Sequence, residues 1–181
     1  MQATVSASAV QQKTDPRAGK YISFRLANEE FAIPVLRVRE IVGIQEITAV
    51  PQTPQGVKGV INLRGRVIPV VDLRLKFGLA EIEYSERTCI IVVQIDAARS
   101  AGAPGEGPGA SLLVGVIVDA VSEVLNLQAG DIENTPDFGT GVALPYLLGM
   151  AKIKGQVKIL LDIQALLAGG ELASLAGLGS L

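Results

Sequence analysis

Unbroken apolar runs set the hydrophobic pattern of this chain. Residues 67–71 (VIPVV), 88–95 (TCIIVVQI) and 112–118 (LLVGVIV) are rich in β-branched side chains and show little polar alternation, as in strands covered on both faces. Residues 21–26 alternate instead, with Ile22, Phe24 and Leu26 directed inward and Ser23 and Arg25 outward. Residues 27–30 read as a turn, and 31–33 resume the strand to close a hairpin. Pro34 suits the first position of a helix, and Val35, Val38 and Ile41 with Val42 share one face of 35–42. Spacing leaves that segment either helical or extended. Residues 47–50 read as a further short strand.

The stretch 57–79 organises the chain. Val57, Val60 and Ile61 precede a polar break at Asn62, and Leu63-Arg64-Gly65-Arg66 supplies a tight turn with a glycine for positive φ. In the following run Pro69 lacks an N–H, which calls for an edge or a bulge there. Asp72 suits a helix N-cap, Leu73, Leu75 and Phe77 make a short apolar turn, and Gly78 stops it. Residues 81–86 form a polar connector. Residues 97–111, rich in Gly, Ala and Pro, form a flexible excursion that enlarges the loop between the strands 88–95 and 112–118. Residues 120–127 continue the latter, 128–137 are turn-like and 139–148 irregular. A last hairpin runs through 149–153 and 157–161 about Lys154-Gly155-Gln156, and Asp162 caps a helix over 163–167. Residues 1–19 and 168–181 read as tails, the first disordered, the second small and apolar.

Two stretches of the chain match. Gly65, Val67, Val70, Val71, Asp72, Leu73 and Phe77 correspond to Gly155, Val157, Leu160, Leu161, Asp162, Ile163 and Leu167, an offset of 155 − 65 = 90. Ile33, Val38, Glu40 and Ile41 correspond to Val116, Val121, Glu123 and Val124, an offset of 116 − 33 = 83. The cues keep the same order in both halves, which implies two similar β-subdomains of about five short strands each, small enough for barrels.

Composition narrows function more than fold. The chain has 181 residues, a net charge of −2 and no histidine, with a pI near 5.2 and a mean hydropathy of +0.40. Without histidine there is no His-dependent triad, His-containing metal site or phosphorelay. An acidic pI and 4% aromatic residues, with no tryptophan, argue against a base-stacking platform. No apolar run approaches the ~20 residues of a membrane helix. Residues 1–9 lack the features of a secretory signal, and the single Cys89 suits a reducing compartment, so the cytoplasm is expected. Neither a phosphate loop nor a nucleophile–base pair is present, and the glycine-rich 102–109 has no lysine. No enzyme, metal or cofactor is expected, and function by surface contact becomes the default.

Within 57–79, Lys58, Arg64, Arg66, Arg74 and Lys76 cluster around one acid, Asp72. A small basic barrel that binds nucleic acid is therefore an alternative to weigh. The same stretch strongly resembles the signature of CheW-type chemotaxis coupling proteins, G-x-x-N-L-R-G followed by V-I-P-V-V-D-L-R and F-G. Gly59, Asn62, Leu63, Arg64, Gly65, Pro69, Asp72, Leu73, Arg74 and Phe77 stand where that pattern requires them.

The resemblance spans roughly 21–167 and implies a mainly β protein of two SH3-like five-stranded barrels with a few short helices. The division expected is a CheW-like domain over 20–167, with the first barrel about 20–86, the second about 87–167, and chain ends able to cross between them. It implies an adaptor between methyl-accepting chemoreceptors and the regulatory domain of a CheA-type histidine kinase, with no nucleic acid and no membrane insertion. By the family's pattern the protein-binding residues are Val38, Glu40, Gly59, Arg64 and Val124. A guanidinium in an apolar hairpin needs an acid, and Asp72 is taken by its helix cap, so Arg64 is expected to pair with Glu40.

Overall fold

The unbroken apolar runs are strands that face two cores at once. The computed structural model describes residues 15–54, 56–96, 111–135 and 146–167. In β6 (Cys89–Asp96), Ile91, Val93 and Ile95 enter a large shared core while Ile90 and Val92 enter a smaller one behind it. The same split places Val71 of β5 (Arg66–Asp72) in the shared core and Ile68 and Val70 in the smaller one. In β7 (Ser111–Val118), Val114, Val116 and Val118 face the shared core and Ile117 the smaller one. A strand with no polar face shows no alternation, and each fully buried Val or Ile contributes about 1.5–3 kcal/mol.

The remaining strands are β1 (Gly19–Leu26), β2 (Glu29–Pro34), β3 (Val38–Gly43), β4 (Val57–Leu63), β8 (Ala120–Leu127), β9 (Ile132–Glu133), β10 (Leu147–Ile153) and β11 (Gln156–Leu161), with helices α1 (Leu73–Lys76) and α2 (Ile163–Leu167). They form a six-stranded sheet, β8-β1-β2-β11-β10-β9, and a five-stranded sheet, β3-β6-β7-β5-β4. Each sheet wraps its own inner core in the manner of an SH3-like barrel, but the edges do not pair to close it. Each also takes strands from both ends of the chain. The β1–β2 hairpin sits between β8 and β11, and the β6–β7 hairpin sits between β3 and β5. Under the internal repeat the two orders are the same, so the halves have exchanged their first hairpins. The parallel contacts Leu160↔Ala32 and Val70↔Gly115 join each exchanged hairpin to the strand that precedes the helix.

Local chemistry accounts for the turns. Arg64 and Gly65 both have positive φ (51° and 86°), as do Lys154 and Gly155 (50° and 76°), which gives two matching two-residue hairpin turns. Asp72 accepts the Arg74 N–H at 2.9 Å and Asp162 accepts the Ala165 N–H at 3.2 Å, so both helices carry the expected caps. Pro69 falls just before β5 begins to pair with β7, and its missing donor leaves no ladder position empty there.

Several expectations change. Residues 35–42 are both helical and extended: a 3-10 turn Val35–Arg37 leads into β3. Val38 and Ile41 share a face, since they pair with Val93 and Ile91 of the shared core, but a bulge at Arg39 shifts the alternation and puts Val42, paired with Ile90, on the side of the smaller core. Ser23 is buried, not outward. It lies opposite a bulge in β8, where its hydroxyl accepts the Glu123 N–H and donates to the Glu123 carbonyl, both at 3.1 Å. Only Thr48 of 47–50 pairs, through a bridge to Val60. After Asp119 the chain does not continue β7 but enters the other sheet as β8. Of residues 1–19, residues 15–18 make a turn fixed by the Arg17 guanidinium, which binds Asp15, Asn134 and the Leu148 carbonyl, and Gly19 opens β1. Residues 97–110 of the excursion, 139–145 of the irregular segment and the tail 168–181 lie outside the described residues. No helix among the described residues is long and apolar enough to cross a membrane.

Candidate functional site

The β4–β5 turn presents Arg64. Gly65 donates its N–H to the Asn62 side-chain oxygen at 2.9 Å, which sets the turn and points Arg64 away from the hairpin. Across the gap between the two edge strands of the five-stranded sheet, Arg64 Nη2 meets Glu40 Oε2, so the expected pair is present. It links edge strand β3 to the end of edge strand β4, where no backbone ladder does. Arg64 is 72% exposed and Glu40 32% exposed. Such a pair contributes only about 0–1 kcal/mol to stability, so what it does is hold two charged groups in a fixed orientation at the surface.

Gly59 lies below this pair in a β4 bulge with φ of +148°. A Cβ there would stand 2.0 Å from the Thr48 carbonyl oxygen, which accepts the Val60 N–H at 2.9 Å. Gly59 therefore lets the segment before β4 cross the strand. Gly149, at the repeat offset, does the same under Glu133, with 2.6 Å to its carbonyl oxygen. Val38 is half-buried and packs on the shared core. Val124 is 63% exposed on β8, the edge of the other sheet. The structure thus brings Val38, Glu40, Gly59 and Arg64 into one sheet and places Val124 on the second.

The repeat extends to the site. Glu123, the counterpart of Glu40, also meets a cation of its own sheet: the buried Lys158 of β11 lies 3.4 Å from Glu123 and 3.8 Å from Glu30. Val124 and its counterpart Ile41 are both exposed beyond these glutamates, each following a bulge at the same place in its strand. Bulges re-aim side chains, and here they direct an acid and then an apolar residue outward.

Other basic residues of 57–79 are also neutralised. Lys58 pairs with Glu81 and lies over the Tyr84 ring at 5.7 Å. Burial pushes the Tyr84 hydroxyl up, and the Asp72 charge and the 3.2 Å hydrogen bond to Asp72 push it further. Arg74 makes a two-pronged pair with Asp119, 2.7 Å on each prong, and also donates to the Ala80 carbonyl at 3.0 Å. Asp119 further accepts the Ala27 N–H at 2.8 Å, so this pair ties α1 to the β1–β2 turn of the other sheet. Sequence reasoning did not assign Asp119; its one signal is a lone carboxylate between the apolar runs 112–118 and 120–121. No group of three or more His, Cys, Asp or Glu among the described residues is placed to hold a metal.

Comparisons with known proteins agree with this geometry. The family profile described as a CheW-like domain matches residues 20–171. The chain is 37% identical to a chemotaxis protein CheW of Klebsiella aerogenes over 154 residues, covering 85% of this chain and 84% of that one. It is 34% identical to a chemotaxis protein CheW of Rhizobium meliloti, covering 83% and 88%. Among solved structures, the scaffolding protein TtCheW from Thermoanaerobacter tengcongensis superposes with a TM-score of 0.68 at 32% identity, covering 85% of this chain and 95% of that one.

Proposed function

The chain belongs to the CheW-like domain family, and from that premise we propose that it is a non-enzymatic adaptor of a chemosensory array. It acts in the cytoplasm and joins the signalling tips of methyl-accepting chemoreceptors to the regulatory domain of a CheA-type histidine kinase, without entering the membrane. The working unit is 20–167, built as two SH3-like sheets that stop short of closing into barrels. Val38, Glu40, Gly59, Arg64 and Val124 form the contact set: Glu40 and Arg64 touch the partner through their charges, Val124 through its exposed side chain, and Val38 and Gly59 shape the strands that carry them.

The observation that carries this reading is the exposed Glu40–Arg64 pair spanning two edge strands that do not pair with each other. A pair that adds little stability yet fixes two charges outward is suited to recognition, because matched charges set register and encounter more than fold. The nucleic-acid alternative loses its basis, since Lys58, Arg64 and Arg74 are each held by a carboxylate and not offered to phosphates. The test is capture of a CheA-type regulatory domain and of a receptor signalling tip by purified protein. Arg64→Ala should unfold within about 1 kcal/mol of wild type but capture less of at least one partner. Wild-type capture of both by a folded Arg64→Ala protein would overturn the assignment of Arg64.

A further inference from the structure

The two sheets differ at one place where the repeat makes them comparable. The five-stranded sheet has an apolar inner core, with Ile68, Val92 and the partly buried Leu113 among its members. Strand pairing and the repeat offsets give these three the counterparts Lys158, Ser23 and Glu30. Ser23 is fully buried and the Lys158 side chain is 5% exposed. Lys158 Nζ lies 3.4 Å from Glu123 Oε1 and 3.8 Å from Glu30 Oε2. Glu30 is held in turn by the Ser122 hydroxyl at 3.1 Å and by Arg25 at 3.5 Å. The fold does not need this network, since the five-stranded sheet reaches the same strand order with apolar side chains at those positions. Apolar residues of similar volume commonly match or exceed the stability of a buried ion pair.

What the network does is hold Glu123. Ser23 clamps its main chain, donating to its carbonyl and accepting its N–H, both at 3.1 Å. The Glu123 side chain is 53% exposed, with Lys158 against one carboxylate oxygen and no partner for Oε2 among the described residues. Glu40, its counterpart, takes its cation from Arg64 on an exposed turn. The counterpart of Arg64 is Lys154, which has no ion pair among the described residues. In the second sheet the cation has thus moved from the turn into the buried part of β11, out of a partner's reach. We propose that Glu123 is a contact residue beside Val124, and that Lys158 is the positioning residue that holds its carboxylate ready for a cationic side chain of the partner. This inference rests on the adaptor reading and deepens it, since the contact surface of the second sheet then carries a charge as well as an apolar side chain. A carboxylate fixed before binding saves the ordering cost that a free glutamate side chain would bear.

Affinity of the full chain for a CheA-type regulatory domain and for a receptor signalling tip, measured beside urea unfolding, tests it. Glu30→Leu with Lys158→Ile copies the five-stranded sheet and leaves Glu123 and Val124 in place. This double variant should unfold at a urea concentration no lower than wild type. It should nevertheless bind at least one partner about fivefold more weakly. Glu123→Gln should weaken the same partner to a similar degree. Adding Glu123→Gln to the double variant should cost no further affinity, because Lys158 acts through Glu123. Wild-type affinity in a folded Glu123→Gln protein or in the folded double variant would overturn the proposal. So would full additivity of the two changes, or a double variant whose unfolding midpoint falls together with its affinity, since the network would then serve the fold. If wild-type protein binds neither partner, the adaptor reading falls and this inference with it; if wild type binds, those results sink this inference alone.

Discussion

Replacing Asp119 by alanine should cost about 3 kcal/mol. The carboxylate accepts three hydrogen bonds, two from Arg74 at 2.7 Å and one from the Ala27 N–H at 2.8 Å. Hydrogen bonds to a charged group are worth about 1.5–3 kcal/mol each when removed singly, but three on one carboxylate do not add. Arg74 keeps its bond to the Ala80 carbonyl, which lowers the penalty for stranding it. Urea unfolding followed by far-ultraviolet circular dichroism would read this as a midpoint lower by about 1–2 M. The pH dependence has a definite sign. Burial alone would raise the Asp119 pKa, but the Arg74 hydrogen bonds, the Ala27 N–H and the Arg74 charge outweigh it and hold the carboxyl below its ordinary value. A lowered folded pKa gives stabilisation that is complete above the ordinary carboxylate value of about 4 and is lost as pH falls through the folded value. The gap between wild type and Asp119→Ala should therefore be flat from about pH 5 to 8 and narrow in acid. A double cycle with Arg74→Met should give a coupling above about 1 kcal/mol. A cost below about 1 kcal/mol, or a gap that persists unchanged in acid, would mean that the pair behaves as a screened surface pair and does not tie the sheets together.

Three further outcomes follow from the geometry. Gly59→Ala should cost about 2–4 kcal/mol in thermal unfolding, since its Cβ would collide with the Thr48 carbonyl and break the bridge to Val60. Gly65→Ala, with open space around it, should cost only about 1 kcal/mol, and equal costs would refute the close-approach role. Phe77 stacks on Phe31 at 5.5 Å and meets Tyr146 at 6.0 Å, so Phe77→Ala should cost about 2–4 kcal/mol; an unresolved shift of the unfolding midpoint would remove it from the core. Deleting 103–109 should change stability by about 0.6 kcal/mol and leave kinase capture intact; loss of capture with the fold preserved would give the excursion a role.

Local features were legible in the sequence because local chemistry decides them. The Arg64-Gly65 and Lys154-Gly155 turns, the Asp72 and Asp162 caps and the doubly buried runs needed only neighbours a few residues away. The Glu40–Arg64 pair was legible by elimination, once the cap had claimed Asp72. Bulges were not, because one extra residue reverses the faces of everything after it, and Val42 was misassigned for that reason; Ser23 was misassigned because the second face of β1 is buried as well. Thr48 was overread because one bridge and a full strand share the same apolar signature. The Arg74–Asp119 tie spans 45 residues and joins two sheets, and no periodicity reports such a partner.

The exchanged hairpins set an order on synthesis. As the chain emerges from its N-terminus, β1 and β2 come first, yet their flanking partners β8 and β11 come only after every strand of the five-stranded sheet. The five-stranded sheet has all its members by Val118, while the first-made hairpin still waits with both edges bare. Not until Leu161 has left the ribosome can β11 lie beside β2. A nascent chain stalled between those points would expose the Tyr21 and Ala32 side of its oldest strands, whose core partners Leu125, Leu127, Ala151 and Leu160 come later. Early emergence thus gives these strands no early shelter, and in the cell they are the segment a holding chaperone would meet first.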